Sequence, residues 1–319
     1  MKATPVISIA DIRSAAARIA PHAVVTPVLR SDALDALAGG ALHFKCEHLQ
    51  VGGAFKFRGA CNAVWALDEK AAARGVVTHS SGNHGAALAL AARSRGIPAH
   101  VVVPEGAVRA KLDNIEAAGA VLHHCAPTLA AREEAASRIQ RETGAALVHP
   151  YADPNVIAGQ GTAALELLQQ MPELDVLIAP LGGGGLMSGS AIVARTLSPA
   201  TTLIAAEPAG ADDGYQSLQR GERVTDVKPQ TICDGLRATI GEINFELLRG
   251  NRVEVVTVSD DQVLAAMRLL WMHLKQTIEP SSSTVLAALL AHRERFRGKR
   301  VGMILSGGNV DLDQIAFAA

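Results

Sequence analysis

The chain has 319 residues and a formal net charge of −1, so it is too long for one small core and carries no electrostatic footprint for nucleic acid or an anionic membrane. Hydrophobic residues make up 49% and aromatics only 3%, which requires a core of Ala, Val, Leu and Ile, suited to helices packed on a parallel sheet. Cys46, Cys61, Cys125 and Cys233 form no C-x-x-C pair or zinc spacing, and no apolar run approaches the roughly 20 residues that span a bilayer, so a soluble cytoplasmic protein acting on a small molecule is expected.

The N-terminus lacks the order of a secretory signal, and residues 11–19 read as a capped surface helix. A strand predicted over 41–47 leads into Gly52-Gly53-Ala54-Phe55-Lys56-Phe57-Arg58-Gly59-Ala60. A lysine between two phenylalanines is partly desolvated, which favours the neutral amine of a nucleophile; the same pattern also suits an ordinary lysine at a helix start. Further on, β-branched runs at 75–78, 99–103, 121–124, 146–149, 176–179, 203–206, 253–258 and 301–305 alternate with helical segments such as 86–95, 130–142, 161–170 and 190–195. This alternation marks βαβ units and open, mostly parallel twisted α/β sheets. Four of the alternations fall between Leu67 and Leu147. They suffice for a small inserted domain at 67–147, leaving 1–66 and 148–319 for a larger domain and a ligand site between the two.

Three loops at the ends of these strands could carry chemistry. His79-Ser80-Ser81-Gly82-Asn83-His84-Gly85 opens a helix, where free backbone N–H groups suit a carboxylate or phosphate and Ser81 could carry a proton; a ligand-free Ser/Asn cap is the plainer reading. Leu181-Gly182-Gly183-Gly184-Gly185-Leu186 lets main chain wrap a tetrahedral anion at a helix N-terminus, and it is neither a dinucleotide fingerprint nor a P-loop. Ser306-Gly307-Gly308-Asn309 ends the last strand and by itself is only a turn.

In this order the segments resemble the serine/threonine dehydratase and serine racemase family of pyridoxal-phosphate (PLP) enzymes of fold type II, related to the tryptophan synthase β fold, from about Thr26 to Asp311. The resemblance implies that Lys56 forms the Schiff base, beside Phe55, and that Asn83 meets the ring hydroxyl. It implies that Gly182, Gly183, Gly184, Gly185 and Leu186 hold the phosphate and that Ser306 partners the pyridine nitrogen. Ser80, Ser81, Gly82, Asn83 and His84 would hold the substrate, Lys56 would take the α-proton, and Ser81 would protonate the opposite face. The activity implied is elimination of water and ammonia from serine, threonine or 3-hydroxyaspartate, with amino acid racemisation as the alternative, in a homodimer. Glu207, Ala211 and Asp213 resemble the family's divalent-cation site, suited to Mg²⁺, Ca²⁺ or Mn²⁺. Lys56-Phe57-Arg58 departs from the Lys-Asp-Arg of β-replacement enzymes. Ala54 stands where many relatives have Ser or Thr, which loosens the expectation of a strict serine or threonine preference, and His48 stands where Asn is usual. The chain ends soon after Asn309, so the resemblance leads to the expectation that the regulatory extension of biosynthetic threonine dehydratases is lacking.

Overall fold

The computed structural model describes residues 7–107 and 109–311. These carry ten strands: β1 Val28–Leu29, β2 Ala41–Cys46, β3 Val76–Thr78, β4 Ala99–Pro104, β5 Val121–Cys125, β6 Ala146–Leu147, β7 Val176–Pro180, β8 Thr202–Pro208, β9 Glu254–Val258 and β10 Arg300–Leu305. Two sheets result, a six-stranded one in the order β1-β2-β10-β7-β8-β9 and a four-stranded one in the order β5-β4-β3-β6. Every pairing is parallel except β1 with β2. Strands covered on both faces must be apolar throughout, and Leu177, Ile178, Ala179, Val301, Met303, Ile304 and Leu305 are fully buried.

Each predicted strand is present with its ends moved by at most two residues, whereas β1, only two residues long, is too short to show a periodicity. Helices begin earlier than the apolar spacing indicates: Asn83–Arg95 against 86–95, Pro154–Gln170 against 161–170, and Gly185–Leu197 against 190–195. Their first turns contain Gly, Asn or Pro, which have weak helix propensity, and packing supplies what propensity does not. Among the described residues no helix is long and apolar enough to cross a membrane. All four cysteines are free, and burial pushes the thiols of Cys46, Cys61 and Cys233 up to about 12, so these three are inert.

Strand β10 lies between β2 and β7, the point where strand order reverses, and there the loops leaving the carboxyl ends of parallel strands open a crevice. The helix Lys56–Trp65, after β2, is wedged between helices Asn83–Arg95 and Pro154–Gln170. Its approach to the latter depends on glycine. A Cβ on Gly159 would lie 2.4 Å from the Arg58 carbonyl oxygen, closer than real side chains come.

A buried ion network anchors the same helix. Arg58, fully buried, donates from Nε and Nη2 to the two carboxylate oxygens of Glu47 at 2.6 and 2.8 Å, and from Nη1 and Nη2 to Glu166 at 2.7 and 2.8 Å. Lys45 adds a 2.6 Å bond to Glu166. Burial would raise the Glu47 pKa, but the Arg58 charge and its hydrogen bonds hold it below the ordinary carboxylate value. Removing one partner strands a desolvated charge. Glu47→Ala is therefore expected to lower the unfolding free energy by about 3–5 kcal/mol in chemical denaturation; a loss below about 1 kcal/mol, the range of an exposed pair, would show that the network does not anchor the helix.

Candidate active site

A cavity of about 740 Å³ opens at the crevice, and Lys56, residues 80–84, Gly182, Gly183, Gly184, Gly185, Leu186 and Ser306 all line it. Segments more than two hundred residues apart in sequence meet because β2, β10 and β7 are consecutive in the larger sheet and the loop after β3 of the smaller sheet lines the same cavity. Phe55 also lines the cavity, and its backbone N–H donates to the Ser306 carbonyl at 2.9 Å, tying the start of the Lys56 helix to the end of β10.

The amine of Lys56 lies 5.1 Å from the centre of the Phe55 ring and donates to the Pro150 carbonyl at 2.9 Å. Burial pushes its pKa down to about 8, against the opposing pull of the Glu279 carboxylate, so neutral amine is accessible near physiological pH. His84 is 2% exposed; burial, then the nearby Lys56, keeps it neutral.

Two helix N-termini point at this space without side-chain caps. Asn83–Arg95 starts from Gly82 and Gly185–Leu197 from Gly184, and neither start has a side chain accepting its first N–H groups. Those donors are free for anions. The glycine run cannot be built from other residues. A Cβ on Gly183 would fall 2.3 Å from the Tyr151 ring and one on Gly185 would fall 2.4 Å from Gln160 Oε1, while Gly184 has φ +95° with Asn244 at 2.8 Å. A phosphate fits this cradle, and an aldehyde fits the partly neutral amine of Lys56 on the same cavity. The chemistry of PLP matches both ends.

Several contacts lie outside the sequence reading. Glu279, 4% exposed, accepts from Asn83 Nδ2 at 3.2 Å through both carboxylate oxygens, and Asn83 Oδ1 accepts from Asn309 Nδ2 at 2.9 Å. Asn83 thus joins the smaller sheet's loop to the ends of both β10 and the loop before helix Pro280–Ala291. His48, at 3.1 Å from Gln276 and packed against Gly308, supports the turn after β10. Arg132, on helix Leu129–Thr143, reaches the cavity with its Nε buried and unpartnered among the described residues. In sequence it looks like one more charge on a solvated face. Tyr151 and Glu279 likewise read as ordinary residues before prolines or after strands.

Glu207 lies near the end of β8, Ala211 in the turn that follows and Asp213 at the start of helix Asp213–Arg220, and none of them lines the cavity around Lys56. Glu207 accepts the N–H groups of Gly214 and Tyr215 at 3.0 and 2.8 Å, and Asp213 accepts that of Ile240 at 2.6 Å. Burial and then the neighbouring Asp213 charge push Glu207 up to about 9; burial raises Asp213 to about 6. Among the described residues no third His, Cys, Asp or Glu completes a side-chain metal cluster here.

The chain matches the family of pyridoxal-phosphate dependent enzymes over residues 19–307. It is 48% identical over 307 residues to a β-hydroxyaspartate dehydratase of Paracoccus denitrificans, covering 96% of this chain and 98% of that one. It is 48% identical over 312 residues to a serine racemase of Arabidopsis thaliana, covering 96% and 94%. The structure of maize serine racemase superposes with a TM-score of 0.94 at 45% identity, covering 96% of this chain and 94% of that one.

The cradle assignment is testable at Gly184. Ala at this position meets both the left-handed backbone and Asn244, so Gly184→Ala is expected to weaken PLP binding by about ten-fold or more, measured by titrating the cofactor's absorbance into apoprotein. Wild-type affinity in that variant would remove the glycine run from the cofactor site.

Proposed function

Because the chain belongs to the family of pyridoxal-phosphate dependent enzymes, of fold type II, we propose that it eliminates water from 3-hydroxyaspartate, a β-hydroxy amino acid with a second carboxylate, giving a 2-oxo acid and ammonia. The carrying observation is Arg132. Arg132 lines the same cavity as Lys56 and its Nε is buried with no hydrogen-bond partner among the described residues, and an unpaired buried guanidinium N–H is costly unless a ligand supplies the acceptor. A β-carboxylate supplies it, and neither serine nor threonine carries one. The dehydratase relative named for β-hydroxyaspartate is consistent with this choice.

When bound, PLP supplies an electron-withdrawing ring that acidifies the substrate Cα. In the proposal the glycine run and the N-terminus of helix Gly185–Leu197 would hold its phosphate, Ser306 would partner its ring nitrogen, and Asn83, steadied by Glu279 and Asn309, would partner its ring hydroxyl. The substrate α-carboxylate binds the uncapped start of helix Asn83–Arg95 with Ser80, Ser81, Gly82 and His84 around it. Lys56 would take the Cα proton, and its lowered pKa makes it a base at neutral pH. Lys56 would return that proton to the β-hydroxyl, which leaves as water, and a second water hydrolyses the unsaturated amine to the 2-oxo acid and ammonia. Racemisation is the second reading, favoured by Ser81 in the same cavity as a second proton carrier.

We also infer a divalent cation, Mg²⁺ first, at Glu207, Asp213 and the Ala211 carbonyl. Two buried carboxylates with raised pKa values and, among the described residues, no cationic side chain bonded to them suit a hard cation held by oxygen.

Two measurements follow. In an assay of 2-oxo acid and ammonia, 3-hydroxyaspartate is expected to exceed serine in kcat/KM by about ten-fold or more. Arg132→Leu should cost about thirty-fold on 3-hydroxyaspartate and much less on serine, as loss of one partner of a charged pair does. Equal losses on both substrates would sink the carboxylate role, and chiral analysis of recovered amino acid in the same assay separates racemisation from elimination. For the cation, chelator should lower the melting temperature by about 3 °C or more and Mg²⁺ should restore it, with Glu207→Gln unresponsive to both. A chelator response that persists in Glu207→Gln would place the ion elsewhere.

A further inference from the structure

We propose that the turn formed by residues 149–152 is the dock for the amine of Lys56 whenever that amine is not bonded to cofactor, with the Pro150 carbonyl as its acceptor and His149 as the positioning residue that holds this carbonyl in place. The inference rests on the Schiff-base role of Lys56 in the functional reading above and concerns residues that reading does not use.

The dock is seen directly in the 2.9 Å bond from Lys56 Nζ to the Pro150 carbonyl. A lysine that alternates between a covalent bond and service as a base must be recovered in one orientation, yet its four-carbon stem has many rotamers to lose. A peptide carbonyl suits this task. It accepts an N–H from the amine and directs the lone pair away from itself, and being uncharged it does not trap the amine as ammonium the way a carboxylate would. Glu279 is the carboxylate facing Lys56, and its oxygens are bonded to Asn83 instead.

The carbonyl is held by His149. Its Nδ1 accepts the N–H of Tyr151 at 3.4 Å and that of Ala152 at 3.1 Å, capping the turn on the far side of Pro150 as an Asx side chain caps the residues two and three ahead of it. An accepting Nδ1 requires a neutral ring protonated on Nε2. Burial pushes the His149 pKa down to about 4, and His79 and Lys56 add to the effect, so the ring stays neutral across the working range. The ring is itself clamped edge-on, 5.3 Å from His79 at 78° and 4.6 Å from Tyr151 at 90°. Tyr151 lies over Gly183 and its carbonyl accepts from Asn244 Nδ2 at 3.1 Å. One turn, on the crossing from β6 to helix Pro154–Gln170, therefore touches the catalytic amine, the phosphate cradle and, through His79, the end of β3. The other titratable group facing Lys56 is His84, from helix Asn83–Arg95.

The test separates acceptor from ring. His149→Phe keeps an aromatic between His79 and Tyr151 but removes the acceptor, while His149→Asn keeps an acceptor at the right reach and removes the ring. Stopped-flow absorbance reads covalent capture of PLP by each apoprotein, and steady-state assays read kcat and KM of each holoenzyme. His149→Phe is expected to slow capture and kcat each by about ten-fold with KM within about two-fold, the signature of a misplaced group, and His149→Asn to recover to within about three-fold of wild type. Wild-type rates in His149→Phe, or an Asn variant as slow as the Phe variant with an unchanged melting temperature, would overturn the dock. Should His149→Phe fail to fold, His149→Asn decides alone: rates near wild type support the dock and a ten-fold loss overturns it. A wild-type protein that forms no borohydride-reducible adduct at Lys56 would instead overturn the functional reading on which the dock rests.

Discussion

The constraint on which the site depends is the buried guanidinium of Arg58, two residues beyond Lys56 on the same helix. A charge without solvent needs every N–H satisfied, and Glu47 and Glu166 accept its bonds from two directions, one at the end of β2 and the other on helix Pro154–Gln170. The helix can then neither slide nor rotate without stranding a charge. Ion pairing in a core is a poor source of stability relative to apolar packing, but it has few alternative geometries. That property suits a segment whose function is to deliver one amine to one place.

Around that amine the protein sets two electrostatic conditions that oppose each other. Anions are drawn in by uncapped helix starts at Gly82 and Gly184, whose donors face the cavity. The amine itself must stay partly uncharged, and its neighbours serve that need: the Phe55 ring, a neutral His84, a neutral His149 and an uncharged carbonyl. A positive potential assembled from backbone N–H groups can bind phosphate and carboxylate without a titrating cation that would compete for protons. The glycine run is the means, since only residues without Cβ leave those groups within reach while Tyr151, Gln160 and Asn244 pack behind them.

Arg132 and Arg237 stand out from this pattern as cations on the cavity wall, and in the proposal it is Arg132 that selects a substrate with an acidic side chain over serine.

Much of the scaffold was legible in the sequence because it is local. Runs buried on both faces of a parallel sheet are largely apolar, so β3, β7 and β10 announce themselves, and glycines that must approach an anion cannot be disguised. Lys56, the 80–84 loop, Gly182 to Gly185 and Ser306 were therefore named in advance, and the structure brings them to one cavity. What only the tertiary structure decided are the residues whose neighbours are remote. Arg132 sits among the charges of an amphipathic helix, Glu279 precedes a proline as a helix cap would, and His149 follows a short strand. Nothing within ten residues of any of them reveals that it faces Lys56 or its cavity. The reason is physical: periodicity reports which side of an element is buried, whereas the partner of a buried polar group is set by how the two sheets meet.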